Sequence, residues 1–284
     1  MKLSKIFALL LALCLISSAA CAATFTDAHG NVIELDDSLE AYAAVTLVGA
    51  DNAARQGETN LGDLWADALR WFAVSGEINA AFDEDDVKAG NDRIAVDADH
   101  VVALWNGGNL RADIAEGTFG AEALAEVLPF PNKVAVVYMT GAQLLETLEA
   151  ASQGLPYTAE TADACASLMQ VSGLTYTVDT TKAYDALEAY GDHWFTAGSV
   201  SRVRIDDVNG QPFDAEATYA VVTSNANFNG MDSSYVLKDA AEANEQSAVT
   251  TAVVRDVVFR FIAAELNHQV GEAYAAPQGR LTIL

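Results

Sequence analysis

The sequence predicts an α+β fold in which a mixed β-sheet is flanked by helices. Short apolar runs such as residues 101–105 and 133–139 are typical of buried strands, whereas residues 61–72 carry apolar side chains at helical spacing. These elements do not follow a strict β-α-β alternation, which favours a mixed sheet over a parallel one. With 284 residues and 51% hydrophobic content, the chain can build a substantial core in one large domain or two small ones.

The elements of the first half follow from periodicity and from breaker residues. Residues 24–35 alternate around an Asp-Ala-His-Gly-Asn turn, which predicts a β-hairpin. The run 61–72 predicts a helix with one buried face. Residues 101–105 form a strand, and a short helix beginning at residue 121 is stopped by Pro129 and Pro131.

The second half of the chain also mixes predicted strands and helices without a regular β-α-β order. Thr140 and Gln143 form a capping box that opens a helix after the strand 133–139. The remaining predicted elements are strands around a glycine over 168–179, an inserted loop over about 180–198, a hairpin over 201–214, a strand over 218–224, a long amphipathic helix over 248–266 and a closing strand over 279–284.

The N-terminal 22 residues are expected to be a secretory signal peptide. Lys2 and Lys5 form a basic region, residues 6–16 form an apolar region, and small residues follow. The apolar run is too short, and wrongly flanked, for a membrane span. An exported location is therefore expected, whether periplasmic, in the cell envelope or extracellular.

Two processing sites overlap at the end of this segment. Residues 20–22, Ala-Cys-Ala, fit a simple cleavage site. Residues 18–21 resemble a lipoprotein box ending at Cys21, although Ser18 stands where an aliphatic residue is usual. Simple cleavage is favoured, with a lipid anchor at Cys21 as the alternative. Residues 23–54 are then expected to be a lead-in that contains the hairpin.

Charge and cysteine content exclude several classes of function. The net charge of −25 leaves no basic stripe for nucleic acid and disfavours an anionic membrane surface. Apart from the leader cysteines, only Cys165 is present, so neither an intramolecular disulfide nor a thiolate metal cluster is expected. The acidic run 82–92 misses the EF-hand spacing, which favours a solvated loop over a calcium site.

The stretch 105–114, WNGGNLRADI, carries the residues best suited to a ligand. Gly107 and Gly108 would let the backbone approach a ligand, Asn106 offers a donor and an acceptor, and Arg111 offers a planar fork. The competing interpretation is structural: a glycine turn in which Asn106 caps the chain and Arg111 pairs with one of many carboxylates.

Six short motifs then occur in a fixed order. They are Arg-x-x-Glu-x-Asn-Leu-Gly over 55–62, Asn-Gly-Gly-x-x-Arg over 106–111, Leu-Pro-Phe over 128–130, Thr-Gly at 140–141 before a helix with Leu-Glu, Gln-Val-Ser-Gly-Leu over 170–174 and a polar turn over 225–232. Together they closely resemble the C-terminal, substrate-specificity domain of the 5'-nucleotidase family. The resemblance runs from Arg55 to residue 284, with the insertion at about 180–198.

The resemblance implies a binding site for the nucleoside part of a nucleotide. In that family two aromatic rings sandwich the base, arginines and an asparagine fix the base or sugar, and an aspartate accepts from the ribose hydroxyls. Carried over to this sequence, the implied substrate-binding residues are Arg55, Asn106, Gly107, Gly108, Arg111, Phe130, Asn225 and Asp232.

The sequence departs from the family pattern in two places. Ala226 stands where the second stacking ring is usual, and Phe228 lies two residues further on. The family's catalysis resides in an N-terminal metallophosphatase domain with two metals, and here about thirty mature residues precede Arg55. Asp27 and His29 match the Asp-x-His pattern of one metal-ligand motif of that family, but the family's other metal-ligand motifs do not follow. The two residues are therefore attributed to a turn. No metal, cofactor or catalytic residue is therefore expected in this chain.

Three functions stay open at this point. The first is an exported nucleoside- or nucleotide-binding domain that is not catalytic alone. The second is the specificity half of a split nucleotide-hydrolysing enzyme, acting with a separate metallophosphatase chain. The third is a structural or adhesion protein that kept the fold and lost the ligand, as Ala226, Met231 and Ser233 indicate.

Overall fold

The computed structural model describes residues 22–26, 32–36, 40–83 and 94–284. Four sequence predictions concern residues outside these ranges. They are the signal peptide up to residue 21, the processing alternatives at Cys21, the turn with Asp27 and His29, and most of the acidic run 82–92.

Strands and helices are numbered here in chain order. The strands are β1 (Ala22–Thr26), β2 (Val32–Asp36), β3 (Glu40–Ala43), β4 (Val101–Asn106), β5 (Gly117–Gly120), β6 (Lys133–Thr140), β7 (Met169–Ser172), β8 (Leu174–Val178), β9 (Ala186–Tyr190), β10 (Trp194–Ala197), β11 (Val203–Val208), β12 (Thr218–Ser224), β13 (Ala248–Val253), β14 (Gln269–Val270) and β15 (Leu281–Ile283). The helices are α1 (Ala53–Gln56), α2 (Asn60–Val74), α3 (Ala121–Val127), α4 (Gly141–Ala151), α5 (Asn225–Phe228), α6 (Tyr235–Ala243) and α7 (Val254–Ala264).

A five-stranded mixed sheet forms the centre of the molecule, in the order β13-β6-β12-β4-β7. Strands β12 and β4 are parallel, and the other neighbours are antiparallel. The two small sheets β11-β8-β15 and β14-β3-β5 each contain one parallel pair as well. This arrangement confirms the predicted α+β class with a mixed sheet flanked by helices.

Both faces of the central sheet are buried, because alternate side chains of each strand enter different cores. In β4, Val101, Ala103 and Trp105 join the core that contains α2 and α7. Val102 and Leu104 join the core that contains α4, α6 and the β11-β8-β15 sheet. A strand buried on both faces reads as a continuous apolar run, which is the pattern seen at 101–105.

The predicted lead-in contributes to the same folded unit. Strands β1 and β2 pair antiparallel, as expected for the hairpin. Strand β3 pairs with β5 and, near the C-terminus, with β14. Residues 40–54 therefore pack as part of the domain. Within the described residues, no helix combines the length and apolar character that crossing a bilayer requires.

The structure corrects the long helix predicted over 248–266. Residues 248–253 form β13 at the edge of the central sheet, and the helix begins only at Val254. The β-branched run Val249, Thr250 and Thr251 suits a strand, and no glycine or proline marks the transition to the helix. The apolar spacing therefore led to a helix prediction that began six residues too early.

The predictions for 201–214 and 180–198 also need correction. Strand β11 pairs with β8 rather than with the residues after the turn, where a single bridge joins Val208 to Gln211. Pro212 follows and has no N–H with which to continue a ladder. The predicted inserted loop instead contains the antiparallel hairpin β9–β10.

A cluster of half-buried charges around the buried Asp63 holds β15 against α2. Arg280 donates from Nη2 to Asp67 at 2.8 Å, and its Nε lies 3.8 Å from Oδ1 of Asp63. Glu58 accepts the backbone N–H groups of Arg280 and Leu281, both at 3.0 Å. Because Asp67 makes the close contact with the guanidinium, Asp63 is left as a second carboxylate with a side chain that is 0% exposed.

Asp63 is expected to carry a proton at neutral pH. Burial raises its pKa to about 8, with Arg280 opposing that rise and Glu58 adding to it. A raised folded-state pKa contributes stability that is fully present below the unfolded value of about 3.9 and is lost as the pH rises towards about 8.

Replacement of Asp63 by Asn should therefore stabilise the protein increasingly as the pH rises from about 4 to about 8. Asn imitates the protonated acid and removes the titration. The difference in unfolding free energy should change by at most about 1.4 kcal/mol for each pH unit. Urea titrations of both proteins at several pH values measure it, with exposed Asp192→Asn as the control. A pH-independent difference would show that Asp63 is ionised.

Candidate functional site

A cleft of about 640 Å³ lies at one edge of the central sheet. Four segments meet there, one after β4, one after α3, one before β7 and one after β12. Since β4 and β12 are parallel, their carboxyl ends reach the same edge, which is where ligands bind in many sheets. The lining residues are Gly108, Asn109, Arg111, Phe130, Pro131, Asn132, Ala166, Asn225, Ala226, Asn229, Gly230, Met231 and Asp232.

Five of the eight residues implied by the resemblance line this cleft, namely Gly108, Arg111, Phe130, Asn225 and Asp232. The other three, Arg55, Asn106 and Gly107, lie behind its wall. The implied set is therefore split between groups that a ligand can touch and groups that support them.

Arg111 and Phe130 form one wall. The guanidinium carbon lies 5.8 Å from the centroid of the Phe130 ring, which is 44% exposed. No hydrogen bond or ion pair joins the guanidinium to any residue in the described part of the chain, which does not favour the carboxylate-paired alternative. Partial burial, and then repulsion from Arg55, lower the pKa of Arg111, with Asp232 opposing. The described residues therefore leave its N–H donors available to a ligand.

Asp232 is a half-buried acceptor that Asn106 holds in place. Nδ2 of Asn106 donates to Oδ2 of Asp232 at 2.9 Å, and Oδ1 of Asn106 accepts from Asn109 at 2.8 Å. Asn106 is only 1% exposed, so it orients the carboxylate from below. Burial raises the pKa of Asp232, while the hydrogen bond from Asn106 and the charges of Arg55 and Arg111 oppose the rise.

Arg55 lies beneath the site and is engaged by a neighbouring loop. Nη1 donates to the carbonyl oxygen of Ala162 at 2.9 Å and lies 3.7 Å from Asp163. The residue is buried, and its charge acts on both Arg111 and Asp232. Its position favours an electrostatic contribution to the cleft over direct contact with a ligand.

The two glycines of the loop are explained by packing within the protein. A Cβ at Gly107 would lie 1.9 Å from the carbonyl oxygen of Ala54 in α1. A Cβ at Gly108 would lie 2.7 Å from Cβ of Ala166. Gly108 also lines the cleft, so the prediction that it admits a ligand stays open, whereas Gly107 is constrained by α1.

The turn after β12 shows whether Phe228 takes the place of the aromatic ring that is missing at Ala226. Ala226 lines the cleft, whereas Phe228 packs against the core on the α4 and α6 side of the sheet. Phe228 does not replace the missing ring. Met231 is 49% exposed, lines the cleft, and donates its backbone N–H to the carbonyl oxygen of Ala226 at 3.0 Å. It therefore adds an apolar side chain that the sequence analysis did not assign to binding.

Asn109, Asn132 and Asn229 also line the cleft and were not assigned from the sequence. Asn109 belongs to the 3₁₀ turn Gly107–Asn109, so its position within residues 105–114 was the signal that the sequence offered. Asn132 and Asn229 lie close to residues already identified, two residues after Phe130 and four after Asn225. Their amides add donors and acceptors suited to the edge of a base.

The described residues do not fit the divalent metals of the resembled family. No group of three or more His, Cys, Asp or Glu side chains converges in them to hold a metal ion. A further cleft, of about 500 Å³, lies between α3 and α7 and contains none of the residues implied by the resemblance. The cleft around Arg111 combines an aromatic ring, a guanidinium and a carboxylate.

Comparison with known proteins gives a family match. The model of the family described as 5'-nucleotidase, C-terminal domain, matches residues 40–239. A trifunctional nucleotide phosphoesterase protein of Bacillus subtilis is 28% identical over 208 residues, which are 72% of this chain and 11% of that protein. The resemblance inferred from the six motifs is confirmed.

Solved structures show the same fold. A 5'-nucleotidase precursor from Thermus thermophilus matches with a TM-score of 0.60 and 29% identity, over 86% of this chain and 39% of that one. The NAD nucleotidase of Haemophilus influenzae matches with a TM-score of 0.57 and 14% identity, over 92% and 48%. The chain thus spans less than half the length of each of these relatives.

Substitution of Gly107 by Ala should destabilise the protein without any ligand present. The new methyl group would meet the Ala54 carbonyl, and overpacking of this kind costs about 1–3 kcal/mol. Thermal unfolding measures the effect. Gly271→Ala is the matched control, because a Cβ there meets no atom within 4 Å. If both variants melt like the wild type, α1 does not constrain Gly107.

Proposed function

The chain belongs to the 5'-nucleotidase C-terminal domain family, and we propose that its cleft binds the nucleoside part of a nucleotide. One observation carries the proposal most directly. A guanidinium that has no hydrogen bond to the described residues lies over a half-exposed aromatic ring, and an oriented carboxylate lines the same cleft. Such a set offers a flat apolar surface, donors and an acceptor within one cavity.

Each of these groups suits a different part of a nucleoside. The exposed face of Phe130 provides a stacking surface for a base. The Asp232 carboxylate can accept hydrogen bonds from ribose hydroxyl groups, and Asn106 keeps it oriented for that purpose. Arg111 can donate to a base edge, a sugar or a phosphate. Further hydrogen-bonding partners around the rim are the amides of Asn225, Asn132 and Asn229.

The second face of the base has an aliphatic wall. Ala226 lines the cleft where relatives are expected to carry a second aromatic ring, and Met231 lines the same cleft. Methionine makes favourable contacts with aromatic rings and adapts to their shape. Under the proposal, base recognition rests on Phe130 and on Met231, with weaker stacking than two rings would give.

Catalysis is proposed to require residues beyond those of the cleft. The relatives whose names describe hydrolysis are more than twice as long as the part that matches, and the described residues offer no metal-ligand group. The chain would then act as an exported binding domain, or as the specificity part of a nucleotide-hydrolysing enzyme whose metallophosphatase is a separate chain. Export is proposed from the signal peptide that the sequence predicts over residues 1–22.

Arg111→Ala and Ala226→Phe should change nucleoside affinity in opposite directions. The first removes a charge-assisted hydrogen bond worth about 1.5–3 kcal/mol, which corresponds to a loss of about tenfold or more. The second restores a ring beside the base, and stacking of about 1–3 kcal/mol should tighten binding. Calorimetric titration with adenosine, uridine and AMP measures both effects.

Arg204→Ala is the matched control for the arginine, because Arg204 lies on β11, is exposed and pairs with Asp206. It should bind like the wild type. Absence of binding by the wild type to every nucleoside and nucleotide tested would reject the proposal and favour a structural or adhesion role. Unchanged binding by Arg111→Ala would reject the role given to that side chain.

The protein from residue 23 to residue 284 should not release phosphate from AMP, even with manganese, cobalt or zinc added. The reason is the absence of a converging metal-ligand group among the described residues. Phosphate release is measured over a long incubation. Metal-dependent release that disappears in His29→Ala but persists in His268→Ala would contradict the prediction and would make His29 a ligand.

A further inference from the structure

The hairpin β9–β10 has few core contacts of its own and lies beside the proposed binding cleft. Its strands pair antiparallel, with Trp194 opposite Tyr190, so these two aromatic side chains share one face. Leu187 and Phe195 remain exposed. The hairpin is therefore held by specific contacts rather than by burial of both faces.

One of these contacts reaches the turn that carries Asp232. Oη of Tyr190 donates to the carbonyl oxygen of Gly230 at 2.8 Å. Gly230 has a φ of +85°, and a Cβ at that position would lie 2.3 Å from the Tyr190 hydroxyl. Gly230, Met231 and Asp232 are consecutive residues of the cleft lining. The phenol thus binds the backbone immediately before the two side chains proposed to contact a nucleoside.

A second contact reaches a different wall of the cleft. Nε1 of Trp194 donates to the carbonyl oxygen of Ala164 at 3.1 Å. Ala164 opens the 3₁₀ turn Ala164–Ser167, whose Ala166 lines the cleft. The neighbouring His193 lies 3.9 Å from Asp163, which in turn lies 3.7 Å from Arg55. The hairpin consequently joins two loops that border the same cavity.

The hairpin is itself fixed to the body of the domain. The backbone N–H of Phe195 donates to Gln153 at 2.8 Å, and that of Ala197 donates to the hydroxyl of Tyr235 at 2.9 Å. Tyr235 donates to Glu146 of α4 and packs against Tyr190 with ring centroids 5.7 Å apart. A support anchored in this way can restrain the loops that it contacts.

The turn needs such restraint, because its backbone conformation is unusual. Gly230 has positive φ, and so does Asp232, at +56°. A non-glycine residue with positive φ persists only where the surrounding structure holds it. Two hydrogen bonds from other segments reach this turn, one from Asn106 to the Asp232 side chain and one from Tyr190 to the Gly230 backbone.

We propose that the β9–β10 hairpin is a positioning element of the cleft, in which Tyr190 holds the Gly230–Asp232 turn in its binding conformation. Tyr190 touches no ligand in this scheme and acts through Met231 and Asp232. The inference rests on the proposed nucleoside-binding function of the cleft. It assigns a role to the segment that the sequence marked only as an insertion.

Tyr190→Phe tests the proposal, and Tyr184→Phe is its matched control. Tyr184 donates to the carbonyl oxygen of Phe195, so both variants lose one phenol hydroxyl and one hydrogen bond from the same segment. Adenosine titration should show a Kd that is weaker by about three- to tenfold for Tyr190→Phe, the loss of one hydrogen bond's net contribution, and an unchanged Kd for Tyr184→Phe. Thermal melting should give similar shifts for both.

The Met231 methyl group offers a direct readout of the turn. In protein labelled with ¹³C at the methionine methyl groups, Met139 and Met169 are buried, whereas Met231 is exposed in the cleft. Its NMR signal should move in ligand-free Tyr190→Phe and stay in place in Tyr184→Phe. This signal reports on the conformation of the turn and does not depend on adenosine binding.

The outcomes separate this inference from the function on which it rests. If the wild type binds adenosine but both variants bind equally well with an unmoved Met231 signal, the positioning role is wrong and the proposed function stands. If the wild type binds no nucleoside, the proposed function fails and the inference fails with it. Should Tyr190→Phe fold poorly, Trp194→Phe, which removes the contact with Ala164, must weaken adenosine binding or the inference is rejected.

Discussion

The parallel pairing of β4 with β12 in a sheet buried on both faces determines where the candidate site can form. The register places Ala103 beside Val222, so its continuation brings Asn106, the last residue of β4, level with Asn225, the first residue after β12. Apolar residues from two cores fix this register, since a shift by one residue would exchange the faces of the strand. The loops after both strands must therefore meet at one edge, and the cleft lies between them.

Polar groups buried at that edge need internal partners before they can serve a ligand. Asn106 shows how the requirement is met, since one end of its amide donates to Asp232 and the other accepts from Asn109. Leaving any of these groups unpaired would cost about 1–3 kcal/mol, so the network is held in one arrangement. The result is a carboxylate with a fixed orientation beside Arg111, whose donors are left free by the described residues. Binding groups and supporting groups are thus distinct residues within one short segment.

The sequence predicted what local patterns determine, and missed what depends on partners distant in the chain. Periodicity and capping located α2 and the Thr140 capping box, and the six motifs identified the family. The six residues of β13 were misjudged because their state depends on pairing with β6, which no local pattern encodes. In the site, Arg111 and Phe130 could be named from motifs, whereas the supporting role of Asn106 and the constraint on Gly107 required knowledge of distant partners.

The negative net charge of the chain implies that an anionic ligand would have to be held in this cleft by short-range contacts. With a net charge of −25, the chain repels anionic ligands at long range, although salt screens that field within about 8 Å at physiological ionic strength. Inside the cleft the balance differs, because Arg111 and the nearby Arg55 face the carboxylate of Asp232. Stacking on Phe130 depends little on charge. Under the proposed function, a ligand with a neutral base and ribose would therefore gain from the described groups wherever its phosphate lies, and Arg111 would add a local attraction inside the cleft.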